Sequence, residues 1–264
     1  MRLAALALAA VLAGCASSAG VTGPLSVYAA GSLRDAFTEV ARDHERRTGH
    51  TIALTFGPSG LLRERIERGE GAQVFASADT QHPQRLAAGG GWGPQTVFVR
   101  NSLCALAQPG LAVDTATLLD TLLRPDIKLG MSTPKADPSG DYALALFAKA
   151  EVVRPGSQTR LNAKALQLTG GPSSPAAPAG HNLYAWVMEK KQADVFLTYC
   201  TNAVAARLQQ PALQVVAVPD ALQVGAAYGL TVHLGAPVAA QAFAQALLSP
   251  PAQAILARHG FGAP

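Results

Sequence analysis

A short strand that runs into a helix through small residues constrains this chain more than any other stretch. Leu25-Ser26-Val27-Tyr28 reads as a buried strand, and Phe37, Val40, Ala41 and His44 recur at helical spacing. Between them lie Ala29-Ala30-Gly31-Ser32-Leu33-Arg34-Asp35. Ser32 stands at the N-cap position, and Asp35 follows three residues later, as in a capping box. A strand that feeds such a helix leaves backbone N–H groups directed out of the turn, which makes a ready anion site. The question is whether other helix starts are brought to the same place.

The pattern repeats. Gly49 closes the first helix, Thr51 to Phe56 alternates as a strand, and Gly57-Pro58-Ser59-Gly60 turns into an amphipathic helix from Leu61 to Arg68. Gln73 to Ala76 is a third strand, and Ser77-Ala78-Asp79 leads into another helix. This β-α-β-α-β order implies a parallel sheet with right-handed crossovers. After the loop Gly89-Gly90-Gly91, strand material runs from Thr96 to Arg100 and from Leu103 to Ala107, with a break expected at Asn101-Ser102. A second set begins near Leu118: a helix, a strand over Lys128 to Met131, and a helix from Gly140 to Lys149. The Pro-, Ser- and Gly-rich run from Gly170 to Gly180 reads as a surface loop. A helix from Asn182 to Lys191 and strands at Ala193 to Tyr199, Val215 to Val218 and Ala226 to Val232 follow, and then two terminal helices.

Hydrophobic residues make up 49% of the 264 residues and charged ones only 14%, so a large core is available and a disordered chain is excluded. The net charge of +4 comes from arginines scattered or set on helix faces, with few aromatics among them. That pattern reads as solvated faces and gives no nucleic-acid partner. Arg2 followed by the apolar run Leu3 to Leu12 is too short to span a bilayer as a mature helix and reads as an export leader. It ends in Leu12-Ala13-Gly14-Cys15, which resembles the lipobox of bacterial lipoproteins. The expectation is therefore a signal peptide over residues 1–15, lipidation of Cys15 and a tether over residues 16–23, with the body outside the cytoplasm and held to a membrane only by lipid. Export permits disulfides, and Cys104 and Cys200 are the remaining pair. A Cys104–Cys200 bridge is expected, with two buried free thiols as the alternative.

Four helix starts carry small polar residues: Ser32, Ser59, Ser139 and the pair His181-Asn182. Each offers backbone N–H groups and roughly half a positive charge, so four converging ends would supply about two units. That matches a doubly charged oxyanion without any lysine or arginine. Tyr199, at a strand end, would add a phenolic donor, and ligands of open α/β sheets bind at the carboxyl ends of strands. Taken singly, each serine is explained as a cap, Tyr199 as core or rim, and His181 as a loop histidine. The six histidines are dispersed without ligand spacing, so no metal site or cofactor is expected.

Three motifs make the reading more specific: Ala29-Ala30-Gly31-Ser32-Leu33, Phe56-Gly57-Pro58-Ser59-Gly60-Leu61 and Val74-Phe75-Ala76-Ser77-Ala78-Asp79. Together with Asn101-Ser102-Leu103, Leu248-Ser249-Pro250-Pro251-Ala252-Gln253 and Gly260-Phe261, they resemble the periplasmic molybdate-binding proteins of ABC importers. The resemblance implies a two-lobed periplasmic-binding-protein fold of type II, α/β, each lobe a mostly parallel sheet flanked by helices with the ligand cleft between them. Lobe one would comprise residues 24–101 and 227–264, and lobe two residues 102–226. It further implies a monomer in the periplasm that holds molybdate or tungstate and hands it to an ABC importer permease. By position, Ser32 and Ser59 match the two serines of lobe one, and Tyr199 matches the tyrosine. Ser139 and His181 match residues that donate through their backbone N–H. Gln73 stands where the family has an acid. Asp137-Pro138-Ser139-Gly140-Asp141-Tyr142, His181 and Tyr199-Cys200-Thr201-Asn202 also depart from the family pattern. These departures leave open a different small anion, such as a carboxylate, a phosphonate or another oxyanion. A secreted serine hydrolase, with Ser32 or Ser59, His181 and Asp141 as a triad, is a more distant alternative. Gly57-Pro58-Ser59-Gly60 is not a nucleophile elbow.

Overall fold

The computed structural model describes residues 23–264, so the leader, Cys15 and most of the tether lie outside the described residues. Strand β1 (Leu25–Ala30) is buried along nearly its whole length, because it is covered on both faces. It pairs in parallel with β2 (Ile52–Gly57) on one side and β3 (Val74–Ser77) on the other. Helix α1 (Arg34–Thr48) crosses from β1 to β2 and buries Ala36, Phe37, Val40, Ala41 and His44, the stripe that the sequence spacing sets. Helix α2 (Ser59–Glu67) crosses from β2 to β3, and α3 (Gln81–Ala88) follows β3.

Strand β4 (Thr96–Ala107) then runs out of this half of the molecule. The second half is built from α4 (Leu118–Leu123), β5 (Leu129–Ser132), α5 (Pro138–Val153), α6 (Ser157–Lys164), β6 (Leu166–Thr169), α7 (Leu183–Glu189), β7 (Val195–Tyr199), α8 (Cys200–Gln209) and β8 (Gln214–Ala217). Strand β9 (Gly225–Val232) returns to the first half, where α9 (Val238–Leu247) and α10 (Pro250–Arg258) end the chain. The strand order is β2-β1-β3-β9-β4-β7-β5-β6, with β8 alongside β4. Strands β5, β6 and β7 are parallel, whereas β3–β9, β9–β4, β4–β7 and β4–β8 are antiparallel. The result is a mixed α/β fold in two lobes.

The break expected at Asn101-Ser102 does not occur. Thr96 to Ser102 pairs with β9, and Leu103 to Ala107 lies between β7 and β8, so one strand serves both lobes. Asn101 is held in the strand by its own side chain. Its amide donates to Thr201 Oγ1 at 2.9 Å and to the Tyr228 hydroxyl at 3.2 Å, and its carbonyl accepts from the Ser102 N–H at 2.9 Å. The first core is aromatic: Phe37 meets Phe98 and Phe243 edge-on at 5.8 and 6.5 Å. All three are fully buried, each contributing roughly 1.5–3 kcal/mol of transfer free energy. Gln73, placed where an acid was expected, takes the Ser26 N–H on its side-chain oxygen at 3.0 Å and ties β3 to β1.

Candidate functional site

The carboxyl ends of β1, β2 and β3 open onto one point, and the residues that follow them build it. After β1, Gly31–Leu33 forms a single 3-10 turn before α1 begins at Arg34. Ser32 therefore does not cap the helix, and the expected capping box with Asp35 does not form. The tight turn points the Ser32 hydroxyl elsewhere, to within 2.8 Å of the Tyr228 hydroxyl on β9. After β2, Ser59 is the first residue of α2 and is 1% exposed. Its hydroxyl accepts the Ala78 N–H at 3.0 Å instead of capping its own helix. Ala78 follows β3, and its carbonyl accepts the Tyr199 hydroxyl at 3.1 Å from the second lobe. The Tyr199 ring stands 5.4 Å from that of Tyr228 and 6.1 Å from that of Tyr142. The Ser32–Tyr228 pair and the Ser59–Ala78–Tyr199 set thus form one network across the two lobes, joined by the contact of the Tyr199 and Tyr228 rings; Ser32 is half-buried and the other four are buried.

From the second lobe, α5 arrives with Asp137 as its N-cap, accepting the Ser139 N–H at 3.0 Å. Ser139 is fully buried, and its hydroxyl has no hydrogen-bond partner. One turn further on, Tyr142 makes the contact with Tyr199 described above. The β5–α5 loop also reaches α2 directly: the Gly60 N–H donates to the Ala136 carbonyl at 2.8 Å. Ser139, one turn before Tyr142, thus belongs to the segment that reaches Tyr199 and α2. His181 does not. It is exposed, its N–H donates to the Pro178 carbonyl at 3.0 Å, and it borders a separate cavity of about 300 Å³ with Trp186, Glu189 and Gln209. Asn182 beside it caps α7 through the Tyr184 and Ala185 N–H groups.

Burial raises the hydroxyl pKa values of Tyr199 and Tyr228 well above the usual tyrosine range, so both are neutral donors at physiological pH. Enclosure of the Asp137 carboxylate pushes its pKa up to about 6, against the Ser139 N–H and Ser132 hydroxyl that favour its charge. Burial, with nearby Asp79, also raises Asp141, while burial lowers His82. Asp79 accepts the Ser77 hydroxyl at 2.8 Å and the His82 N–H at 3.1 Å. The nearest buried cation, Arg63 on α2, faces Glu67 and Glu64 at 3.3 and 3.5 Å. The site is thus built from neutral hydroxyl and amide donors with carboxylates at its margin. Among the described residues, neither Ser32 nor Ser59 shares a hydrogen bond with an imidazole, so no base lies on either hydroxyl.

Sequence reasoning named Ala78, Asn101 and Asp137 only as members of motifs, without a role in the site, and did not single out Tyr228. A lone aromatic ring with a hydroxyl in the apolar run Ala226 to Val232 was the available sign for Tyr228. Asp137 was legible as a cap before Pro138, but its enclosure was not. Cys200, just beyond the strand expected over Ala193 to Tyr199, is the first residue of α8 and is joined by a disulfide to Cys104 on β4.

A family model described as "Bacterial extracellular solute-binding protein" matches residues 25–262. An uncharacterized protein of Pasteurella multocida, PM1146, is 38% identical over 207 residues, 78% of this chain and 86% of that protein. The molybdate-binding protein ModA of Azotobacter vinelandii is 29% identical over 147 residues, 54% of this chain and 56% of that one. Among solved structures, the periplasmic molybdate-binding protein of Azotobacter vinelandii superposes with a TM-score of 0.71 at 18% identity, over 91% of this chain and 99% of that chain. The sulfate-binding protein SubI of Mycobacterium tuberculosis gives 0.74 at 17% identity, over 91% and 86%. Both structures share the two-lobed fold described above. The chain belongs to the bacterial extracellular solute-binding proteins and resembles their molybdate-binding members in sequence and fold.

Proposed function

We propose that this protein captures a tetrahedral oxyanion, molybdate or tungstate, between its lobes and delivers it to an ABC importer. The observation that carries the reading is the convergence of the Ser32, Ser59 and Tyr199 hydroxyls on one network at the strand ends. A dianion with no proton of its own needs donors only, and neutral hydroxyls and helix amides provide them without an ion pair. To take the anion, Ser32 turns from Tyr228, and Ser59 and Tyr199 turn from Ala78. The buried Ser139 hydroxyl is the contribution of α5. His181 joins the set only if its N–H leaves Pro178 and the 171–181 segment swings to the cleft. The working form is a monomer in the periplasm, lipidated at Cys15, with lobe one at 24–101 and 227–264 and lobe two at 102–226.

A second reading keeps the scaffold and changes the anion. Asp137, Asp79 and Asp141 stand close to the donors and disfavour a full dianion, whereas a ligand that carries a proton or hydroxyl could donate to them. Structures of similar fold include SubI and a PEB3 with bound L-phospholactate, the latter with a TM-score of 0.71 at 14% identity.

A thermal-shift panel of molybdate, tungstate, sulfate, phosphate, carboxylates and phosphonates separates the two. A large shift with molybdate and tungstate alone is the expected result. A shift with another anion and none with these two selects the second reading. Turnover of a generic ester that is lost in Ser59→Ala would overturn both.

A further inference from the structure

The contact between the β5–α5 loop and α2 is closer than side chains would allow. Gly60 is the second residue of α2, and its N–H, which has no partner inside the helix, donates to the Ala136 carbonyl at 2.8 Å. A β-carbon on Gly60 would lie 2.2 Å from the Lys135 carbonyl oxygen, 2.8 Å from the Ala136 oxygen and 3.0 Å from the Ala136 α-carbon. All three are backbone atoms, so no rotamer change relieves the clash. Within α2 itself a glycine is a poor choice, because alanine favours a helix and fits the same backbone. The gain from glycine is the approach of the other lobe.

The loop is shaped to make that approach. Lys135 is left-handed, with φ of 67°, uncommon for a residue with a side chain. Its N–H is taken by both carboxylate oxygens of Asp141, at 3.1 and 3.0 Å, from the first turn of α5. This bond fixes the turn that aims the Lys135 and Ala136 carbonyls at α2. The positive end of the α2 dipole then meets two carbonyl oxygens. Asp79 and His82 of lobe one lie near Asp141, and Arg63 of α2 lies near His82, so this part of the interface is polar and charged.

We propose that Gly60, Lys135 and Asp141 form a latch between the lobes, in which Asp141 acts as a positioning residue through Lys135. The latch stabilises the closed arrangement that brings Ser139 and Tyr199 to Ser32 and Ser59. Its effect on anion affinity rests on the oxyanion reading above, whereas its effect on closure does not.

Small-angle scattering of the purified protein, with and without molybdate, tests it alongside calorimetric titration with molybdate. Gly60→Ala is expected to keep the circular-dichroism spectrum, increase Rg without added anion, and weaken molybdate binding tenfold or more. Asp141→Ala is expected to expand the protein as well, and Asp141→Asn, which keeps one acceptor for Lys135, to fall between it and the wild type. Lys135→Gly is expected to be at least as compact as the wild type, since glycine adopts the left-handed conformation freely. Equal Rg for wild type, Gly60→Ala and Asp141→Ala overturns the latch. Tighter molybdate binding by Gly60→Ala also overturns it, by making the Ala136 carbonyl a competitor of the anion. A wild type that binds no molybdate ends the oxyanion reading, while the scattering series still decides the latch.

Discussion

A serine at a helix start has two uses for its hydroxyl, and Ser59 shows which one operates. Its oxygen accepts the Ala78 N–H from the turn after β3, so it organises the site instead of its own helix. Ser59→Ala leaves that buried N–H without its acceptor. We expect a loss of about 1–3 kcal/mol in denaturant unfolding, and a loss of about 1.5–3 kcal/mol in oxyanion affinity by calorimetry. Affinity equal to wild type would remove Ser59 from the site. Asp137 works in the opposite sense. Its folded pKa of about 6 lies above the usual carboxylate value near 4, so the stability it contributes is full below pH 4 and is lost as pH rises through 6. Asn at this position holds the neutral state and still accepts the Ser139 N–H. Asp137→Asn is therefore expected to match the wild type at pH 4 and exceed it at pH 8. The gain is about 1 kcal/mol, discounted because the residue keeps part of its surface open. Molybdate affinity at pH 8 should rise with it. A variant no more stable than wild type at pH 8 would mean that the amides of α5 sustain the charge.

At the scale of elements, β4 and β7 do most to place the site. β4 passes from one lobe to the other without a break, and its register sets Leu103 opposite Tyr199. The disulfide from Cys104 to Cys200 then fixes the residue next to Tyr199 to the strand that crosses between lobes. It closes a long loop, the two cysteines standing 96 positions apart in sequence. The double variant Cys104→Ala, Cys200→Ala should lose about 2–5 kcal/mol, read as a fall in Tm of roughly 5–15 °C. Because Tyr199 loses its tether, anion affinity should fall as well. An unchanged Tm would show that strand pairing alone holds β7 in place. The strands of the first lobe were plain in the sequence because each alternates or runs apolar between turn residues. The stretch α6–β6 was not, because its apolar positions are few, and helix α8 was not, because its apolar residues are spread around the helix. In α8, Val204 and Leu208 remain exposed, so no single apolar face marks the helix.

For the whole molecule, the two polypeptide crossings that join the lobes near the site are β4 and the chain from β8 into β9. Hinge closure about such crossings is a common response to ligand, and here it would bring α5 against α2. An anion held at about 100 times its dissociation constant stabilises the chain by roughly 2.7 kcal/mol, so a Tm rise of about 5–10 °C is expected with the right one. A rise of that size with sulfate or phosphate and none with molybdate would reassign the ligand and leave the fold untouched.

The sequence by itself determined the α/β class, the strand-to-helix turns after β1 and β2, and the serines placed at them. Those features follow from local periodicity and turn chemistry, which a linear pattern records. Only the tertiary structure decided where the hydroxyls point. Ser32 looks to Tyr228, 196 positions further along the chain, because β9 returns beside β3, and Ser59 looks to Ala78 because the ends of β2 and β3 open on the same side of the sheet. It also decided that His181 stands beside Trp186 rather than Tyr199, and that a carboxylate at residue 137 is enclosed. Burial and long-range approach belong to the packed chain, because they depend on which surfaces meet and not on the order of residues within any one of them.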